Sequence, residues 1–244
     1  MIPKIIHYCW FGHNPLPESA IKCIESWKKY LPDYEIKEWN EDNFDVNCIP
    51  YTAEAYAAKK YAFVSDYARF WILYKYGGIY FDTDVEIIKP LNEIIEKGPF
   101  MGLENNGKQG KSSPAVAPGL GLAASSGAGF IKELLEHYQT LHFEFKPGMI
   151  GQETIVHITT RLLEKYGLKP SNQIQKVADF YIYPSEYFCP INLTTNKLHI
   201  TNKSVSIHHY AATWSDREPT WKDFLKKILP EWLLILINKL KEKC

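Results

Sequence analysis

Cysteine is scarce in this chain and is not arranged to support structure. Five are present in 244 residues, at Cys9, Cys23, Cys48, Cys189 and Cys244. The number is odd and no pair has C-x-x-C spacing, which excludes a disulfide framework and a zinc ribbon and points to a reducing compartment. Neither charge is in excess, since 28 basic residues balance 28 acidic ones, so nucleic-acid binding is not expected as the main task. No apolar run approaches the roughly 20 residues that cross a bilayer. The opening MIPKIIHYCWFG has one early lysine and no small-residue cleavage site. It reads as a first strand and not as a secretory signal, and the expectation is a cytoplasmic protein. Internal repeats and low-complexity tracts are also missing.

What is present suits one large α/β domain. The length fits a single domain with a small appendage, and 45% hydrophobic residues can bury a sizeable core. Aromatics reach 14%; most are expected in the core, with a minority free to stack on a sugar or a base. Residues 2–10 are strand-like. Residues 18–30 place Ala20, Ile21, Ile24 and Trp27 at helical spacing, and residues 34–39 alternate as a second strand. The spacing predicts one long helix over 53–76, with Thr52 as its N-cap and Gly77-Gly78 as its stop. A single strand is expected over 79–88, further strands near 119–124, 180–183 and 204–208, and helices over 130–143 and 152–166. GKQGKSSP, within 105–114, reads as a loop and a candidate lid.

The C-terminus differs in character. Trp221, Phe224, Leu225, Ile228 and Leu229 form an apolar stripe with lysines off it, and Trp232 with Leu233 to Ile237 follows Pro230. This predicts a domain over 1–218 and an amphipathic basic helical segment over 219–244. That segment suits either the domain's own core or an anionic membrane surface, which would make the protein peripheral at the inner membrane face.

The chemistry centres on Gly77-Gly78-Ile79-Tyr80-Phe81-Asp82-Thr83-Asp84. Side chains alternate along a strand, so Asp82 and Asp84 are expected on one face. Two adjacent carboxylates repel unless a cation sits between them, and hard oxygen ligands suit Mg²⁺ or Mn²⁺. A D-x-D by itself is equally a solvated turn. In the preceding helix Asp66 and Arg69 share a face among apolar neighbours, which fits a buried ion pair.

The string running through Ala62, Ser65, Asp66, Arg69, Leu73, Tyr74, Gly77, Gly78, Ile79, Tyr80, Asp82 and Asp84 resembles the core of glycosyltransferase family 32. That family holds initiating mannosyltransferases and bacterial capsule and lipopolysaccharide sugar transferases, with clostridial toxin glucosyltransferase domains as more distant relatives. Ile2 to His7 with Trp10 resembles its opening strand. His208-His209-Tyr210 with Trp214-Ser215 resembles its closing element, Tyr210 standing where tryptophan is common. The resemblance implies a GT-A fold, a single mostly parallel sheet flanked by helices, and a nucleotide-sugar donor bound at the strand ends. It implies Trp10 on the nucleobase, and Asp66, Arg69 and Tyr80 at the donor. It implies Asp82 and Asp84 on the metal, completed by His208 or His209, and Trp214 over the phosphates. A UDP-sugar is the expected donor, and an oligosaccharide or lipid-linked glycan of a bacterial cell surface the expected acceptor, with retention of anomeric configuration.

Two readings from other classes remain. Asp82-Thr83-Asp84-Val85 also fits the nucleophile motif of a haloacid-dehalogenase-type phosphotransferase, although that motif should close the first strand. A non-catalytic carbohydrate-binding protein with a structural cation would use the same aromatics and carboxylates.

Overall fold

The computed structural model describes residues 1–144, 153–193, 195–211, 229–231 and 233–234. The predicted boundary at 218, Trp214, and most of the 219–244 segment lie outside the described residues. In chain order the elements are β1 (Ile5–Cys9), α1 (Glu18–Tyr30), β2 (Glu35–Trp39), α2 (Pro50–Ala57), α3 (Tyr61–Tyr76), β3 (Gly78–Tyr80), β4 (Val85–Ile87), α4 (Asn92–Lys97), β5 (Phe100–Asn105) and β6 (Ala115–Val116). A 3₁₀ turn (Pro118–Leu120) leads into β7 (Leu122–Ala124). Then come α5 (Gly129–Gln139), α6 (Ile155–Lys165), β8 (Gln175–Val177), β9 (Phe180–Tyr183), α7 (Ser185–Phe188), β10 (Ile191–Asn192), β11 (Lys197–Leu198) and β12 (Ser206–His208).

The main sheet has the order β2-β1-β3-β7-β5-β9-β8, with β6 on β5. β1 runs parallel to β2 and β3, and β5 parallel to β9, while β7 lies antiparallel between β3 and β5. β2, β1, β3, β5 and β9 therefore all point one way, which is the mixed, mostly parallel α/β sheet that was expected. Alternate side chains feed two apolar clusters, one on each face. Tyr80, Met101 and Leu122 pack with residues of α3, α5 and α6, while Ile79, Phe81 and Phe100 pack with Ile24 and Trp27 of α1. Trp27 is fully buried and its Nε1 donates to Val85 O at 2.7 Å, so α1 clamps β4 as well as covering the sheet. Burying a ring such as Phe81 contributes about 1.5–3 kcal/mol.

Two sequence expectations are corrected. The run 53–76 is two helices, because the chain turns after Ala57. Lys59 adopts φ 57°, its N–H donates to Tyr56 O at 2.9 Å, and the Lys60 N–H donates to Ala55 O at 2.9 Å. That is a Schellman end with lysine at the position glycine usually holds, so no glycine or proline announces it. Thr52 is not an N-cap; it lies inside α2, its Oγ1 donating to Ile49 O at 3.0 Å. The run 79–88 is likewise two strands, with a turn at Thr83-Asp84 closed by Val85 N–H to Asp82 O at 3.1 Å. β4 leaves the main sheet and pairs antiparallel with β12. Among the described residues no helix is long and apolar enough to cross a membrane. Cys9, Cys23, Cys48 and Cys189 are free thiols, in line with their spacing.

Candidate active site

The D-x-D element is set by its approach. Gly77 ends α3 at φ 66° and Gly78 continues at φ 103°. A side chain at Gly78 would meet Ile5 O at 2.6 Å and His7 Nε2 at 2.9 Å, so only glycine lets β3 lie this close to β1. His7 seals the junction. Its Nδ1 accepts from Trp39 Nε1 at 3.1 Å, which leaves Nε2–H to donate to Gly77 O at 2.9 Å. Burial lowers its pKa to about 4, so the ring is neutral, as this double role requires.

Beyond Tyr80 the chain enters the turn, so Asp82 and Asp84 do not share a face by strand alternation. They converge because the turn folds back and β12 is laid beside β4. The register places His208 opposite Val85, one residue from Asp84. His208 Nε2 is 3.1 Å from Asp84 Oδ1 and 3.8 Å from Asp82 Oδ2. One ligand atom from each of Asp82, Asp84 and His208 lies within 4.8 Å of the others. His209 is placed elsewhere: its Nε2 meets Glu86 Oε2 at 2.9 Å on the exposed side. Of the two candidate histidines, the structure brings His208 to the carboxylates.

Behind the cluster, α3 presents Arg69. Its NH1 is 3.1 Å from Asp82 Oδ1, its NH2 3.0 Å from Asp66 Oδ1, and its Nε donates to Ser65 O at 3.0 Å. Arg69 is 4% exposed and Asp66 8%. Tyr80 is buried beneath the guanidinium, whose carbon is 4.8 Å from the ring centroid. These three residues thus stand behind Asp82 as its support. Burial pushes the Asp66 carboxyl up to about 7, with Arg69 opposing. For Asp82 burial also raises the pKa, but Arg69 and His208 outweigh it and hold the carboxyl at about 2. His208 shows the reverse balance: burial lowers it, and the hydrogen bonds and charges of Asp82 and Asp84 carry it up to about 9. Trp10 follows β1, half-buried, its Nε1 donating to Asn14 O at 2.6 Å.

Two contributors, Ala211 and Gly119, were not legible beforehand. The Ala211 backbone N–H donates to Asp84 Oδ2 at 2.8 Å, and Asp82 N–H to Gly119 O at 3.0 Å. A side chain on Gly119 would collide with Asp82 Oδ2, so the 3₁₀ turn before β7 must carry glycine for the carboxylate to sit where it does. Tyr210, already singled out in the closing element, stands edge-on to His208, ring centroids 4.2 Å apart. Pro118-Gly119 was visible only as a generic turn signal, and a backbone donor such as Ala211 N–H has no sequence signature.

Residues 17–101 match the family described as the glycosyltransferase sugar-binding region containing DXD motif. Over this segment, about a third of the chain, the protein is similar to the D-x-D glycosyltransferases. Among curated relatives of this chain, inositol phosphoceramide mannosyltransferase 3 of Schizosaccharomyces pombe is 36% identical over 115 residues, 43% of this chain and 32% of that protein. Mannosyl phosphorylinositol ceramide synthase CSH1 of Saccharomyces cerevisiae is 30% identical over 105 residues, 41% of this chain and 28% of that one. The aligned part thus spans about a third of these relatives' length. Among solved structures, PaToxG glycosyltransferase superposes with TM-score 0.47 and 20% identity, covering 67% of this chain and 69% of that one. The galactosyltransferase LgtC gives TM-score 0.38 and 12% identity over 93% and 98%.

The donor set fits a divalent cation: two carboxylates and one imidazole converge from separate elements, with Asp84 oriented by a backbone N–H and Asp82 by a guanidinium. Without a cation, His208 holds a proton between the two carboxylates. A raised pKa favours the protonated form below it, so a cation must displace that proton at any pH under about 9. Affinity for Mn²⁺ is therefore expected to weaken by about tenfold for each pH unit below that value. Calorimetry at several pH values checks this, together with the proton release that accompanies binding. Affinity independent of pH between 6 and 8 would show that His208 is not a ligand.

Proposed function

We propose that this protein is a glycosyltransferase that moves a hexosyl group from a nucleoside-diphosphate sugar to a carbohydrate hydroxyl, with a divalent cation held by Asp82, Asp84 and His208. The observation that supports this most is the convergence of those three side chains next to the Asp66–Arg69 pair, inside a segment of the D-x-D family. A bound Mn²⁺ or Mg²⁺ would supply Lewis-acid neutralisation of the charge that the diphosphate gains as it leaves. The chain's own residues make that site stiff. Arg69 directs an N–H from each of its three nitrogens at Ser65, Asp66 and Asp82, and so holds Asp82 ionised and in place. Trp10, at the carboxyl end of β1, lies where a ligand of an open α/β sheet is met and offers its ring to the base.

The expected donor is a UDP-sugar. The curated relatives carry mannosyl transfer onto an inositol phosphoceramide in their names, and this brings GDP-mannose into the same test. The acceptor is a glycan of the cell surface, oligosaccharide or lipid-linked, and transfer proceeds with retention. The 105–114 loop serves as a lid over the bound donor, and the basic segment 219–244 as a contact with the membrane face. Isothermal titration with a panel of UDP- and GDP-sugars, in Mn²⁺ and in EDTA, tests the core of the reading. One donor is expected to bind, and only with the cation. A folded protein that binds none of them would sink the transferase reading and favour a carbohydrate-binding protein with a structural cation.

A further inference from the structure

The β10–β11 hairpin has two faces of opposite character. In its register Ile191 lies opposite Leu198, and Asn192 opposite Lys197. The His199 N–H donates to Pro190 O at 2.7 Å, which extends the ladder by one pair. Alternation then puts Asn192, Lys197 and His199 on one face, and Ile191, Leu198 and Ile200 on the other. The polar face is occupied. Glu231 Oε1 meets Asn192 Nδ2 at 3.2 Å, His199 Nε2 at 3.0 Å and, in the turn, Thr195 Oγ1 at 2.8 Å. One carboxylate thus seats the C-terminal segment there, and Leu234, three residues on, is buried.

The apolar face is open. Leu198 and Ile200 are 47% and 53% exposed, and Leu193 at the turn is 43% exposed. Other large exposed apolar residues, such as Ile21 and Tyr166, stand singly along the chain. Three in one short hairpin mark a surface that is covered in use. The local charge indicates what covers it. From Pro190 to His208 the chain carries Lys197 and Lys203 and no acidic residue. Lys203 is matched by Glu186 at 2.8 Å, whereas Lys89 Nζ is brought to the hairpin's exit by Thr201 O at 3.0 Å and Asn202 O at 2.9 Å, carbonyls that leave its charge in place. A second copy laid on this face about a two-fold axis would set these ammonium groups toward their own counterparts. An anionic lipid surface takes apolar side chains at its acyl boundary and cations at its headgroups. The segment seated by Glu231 also runs on to Lys239, Lys241 and Lys243.

We propose that the open face of the β10–β11 hairpin is a lipid-contact surface, with Leu193, Leu198 and Ile200 entering the interface of an anionic bilayer. It is a second contact, separate from the one read for 219–244, and it does not depend on the transfer chemistry. The hairpin is rooted close to the D-x-D cluster. Cys189 Sγ, just before it, is 3.2 Å from the Tyr210 hydroxyl, and the Tyr210 ring stands edge-on to His208. Docking through this face brings the cluster to the membrane.

The test is co-sedimentation of the full chain with vesicles of phosphatidylcholine, with and without phosphatidylglycerol. Binding is expected with phosphatidylglycerol present and to be much weaker without it. Leu198→Ser combined with Ile200→Ser should lower the partition coefficient about tenfold. Ile21→Ser, which removes an exposed apolar side chain from α1, should leave it unchanged. Because the substituted side chains are exposed, the fold should hold, and circular dichroism checks it. Hydrogen exchange of the 191–200 amides should slow on the anionic vesicles. A double variant that binds as wild type does would leave the membrane to 219–244 alone and overturn the hairpin contact. No binding to anionic vesicles would remove both contacts. A dimer seen by light scattering and abolished by the double variant would give the face to a second copy of the chain and overturn the lipid assignment. Titration of the same sample with nucleotide sugars reports on the transferase reading separately, whatever the vesicles show.

Discussion

Asp84→Ala is expected to abolish cation-dependent binding of the nucleotide sugar and to lower kcat/KM by about a thousandfold, leaving the fold intact. Asp84 Oδ1 is 3.1 Å from His208 Nε2, and its Oδ2 accepts from Ala211 N–H at 2.8 Å. Truncation removes one of three convergent ligands and frees the donor that orients the 208–211 segment. The fold should survive because the residue sits in a turn, and its backbone carbonyl, which accepts from His209 N–H at 3.0 Å, is untouched. Titration with Mn²⁺ and with a nucleotide sugar, set beside circular dichroism, reads both parts. His208→Ala should follow Asp84→Ala in losing the cation, whereas His209→Ala should bind it nearly as wild type does, since His209 pairs with Glu86. Unchanged Mn²⁺ affinity in Asp84→Ala would move the cation away from this cluster.

Arg69→Met should destabilise the protein by about 3–5 kcal/mol, the usual cost of removing one partner of a buried charge network. Arg69 bridges Asp66 and Asp82 from a position only 4% exposed, and its loss leaves two carboxylates facing each other with no cation between them. The pH dependence carries the signature. Asp66 already sits at about 7, above its usual range, so ionising it in the folded state costs stability at neutral pH, and that cost fades as pH falls through 7 toward 4. Without Arg69 the cost grows, so the deficit of the variant should be larger at pH 8 than at pH 5. Urea denaturation at the two pH values measures it. Arg69→Lys should recover little, because one ammonium cannot span Ser65 O, Asp66 and Asp82 at once. A variant as stable as wild type at pH 8 would show that Arg69 is not holding the two acids.

Much of the fold was legible where periodicity is strong. Residues 18–30 and 34–39 were read within a residue of α1 and β2, because Ala20, Ile24 and Trp27 repeat at helical spacing, where they are buried, and apolar and charged residues alternate over Tyr34 to Lys37. The break at 58–60 was not legible. Lysine occupies the left-handed position there, and hydrogen bonds to Ala55 and Tyr56 stabilise it where glycine would have been the sequence signal. The turn inside 79–88 was hidden for the opposite reason. The segment is rich in β-branched and aromatic residues on both sides of Asp82-Thr83-Asp84, and only the pairing of β4 with β12 pulls Val85 out of the main sheet.

The sequence alone determined the residue types at the site and most of their order: a glycine pair, two aspartates and an upstream Asp–Arg pair, because spacing along one helix and the chain after it is local information. It also determined which family the motif resembles. Tertiary structure decided the rest. The choice of His208 over His209 depends on a strand register more than 120 residues distant in the chain, between Val85 and His208. The placement of Arg69 against Asp82 depends on burial that the helix pattern does not specify. The glycine requirement at Gly119 exists only because β7 folds antiparallel against β3 and sets that residue against Asp82. Long-range contacts of this kind arise when distant strands pair to bury both faces of one sheet, and no window of sequence contains both partners.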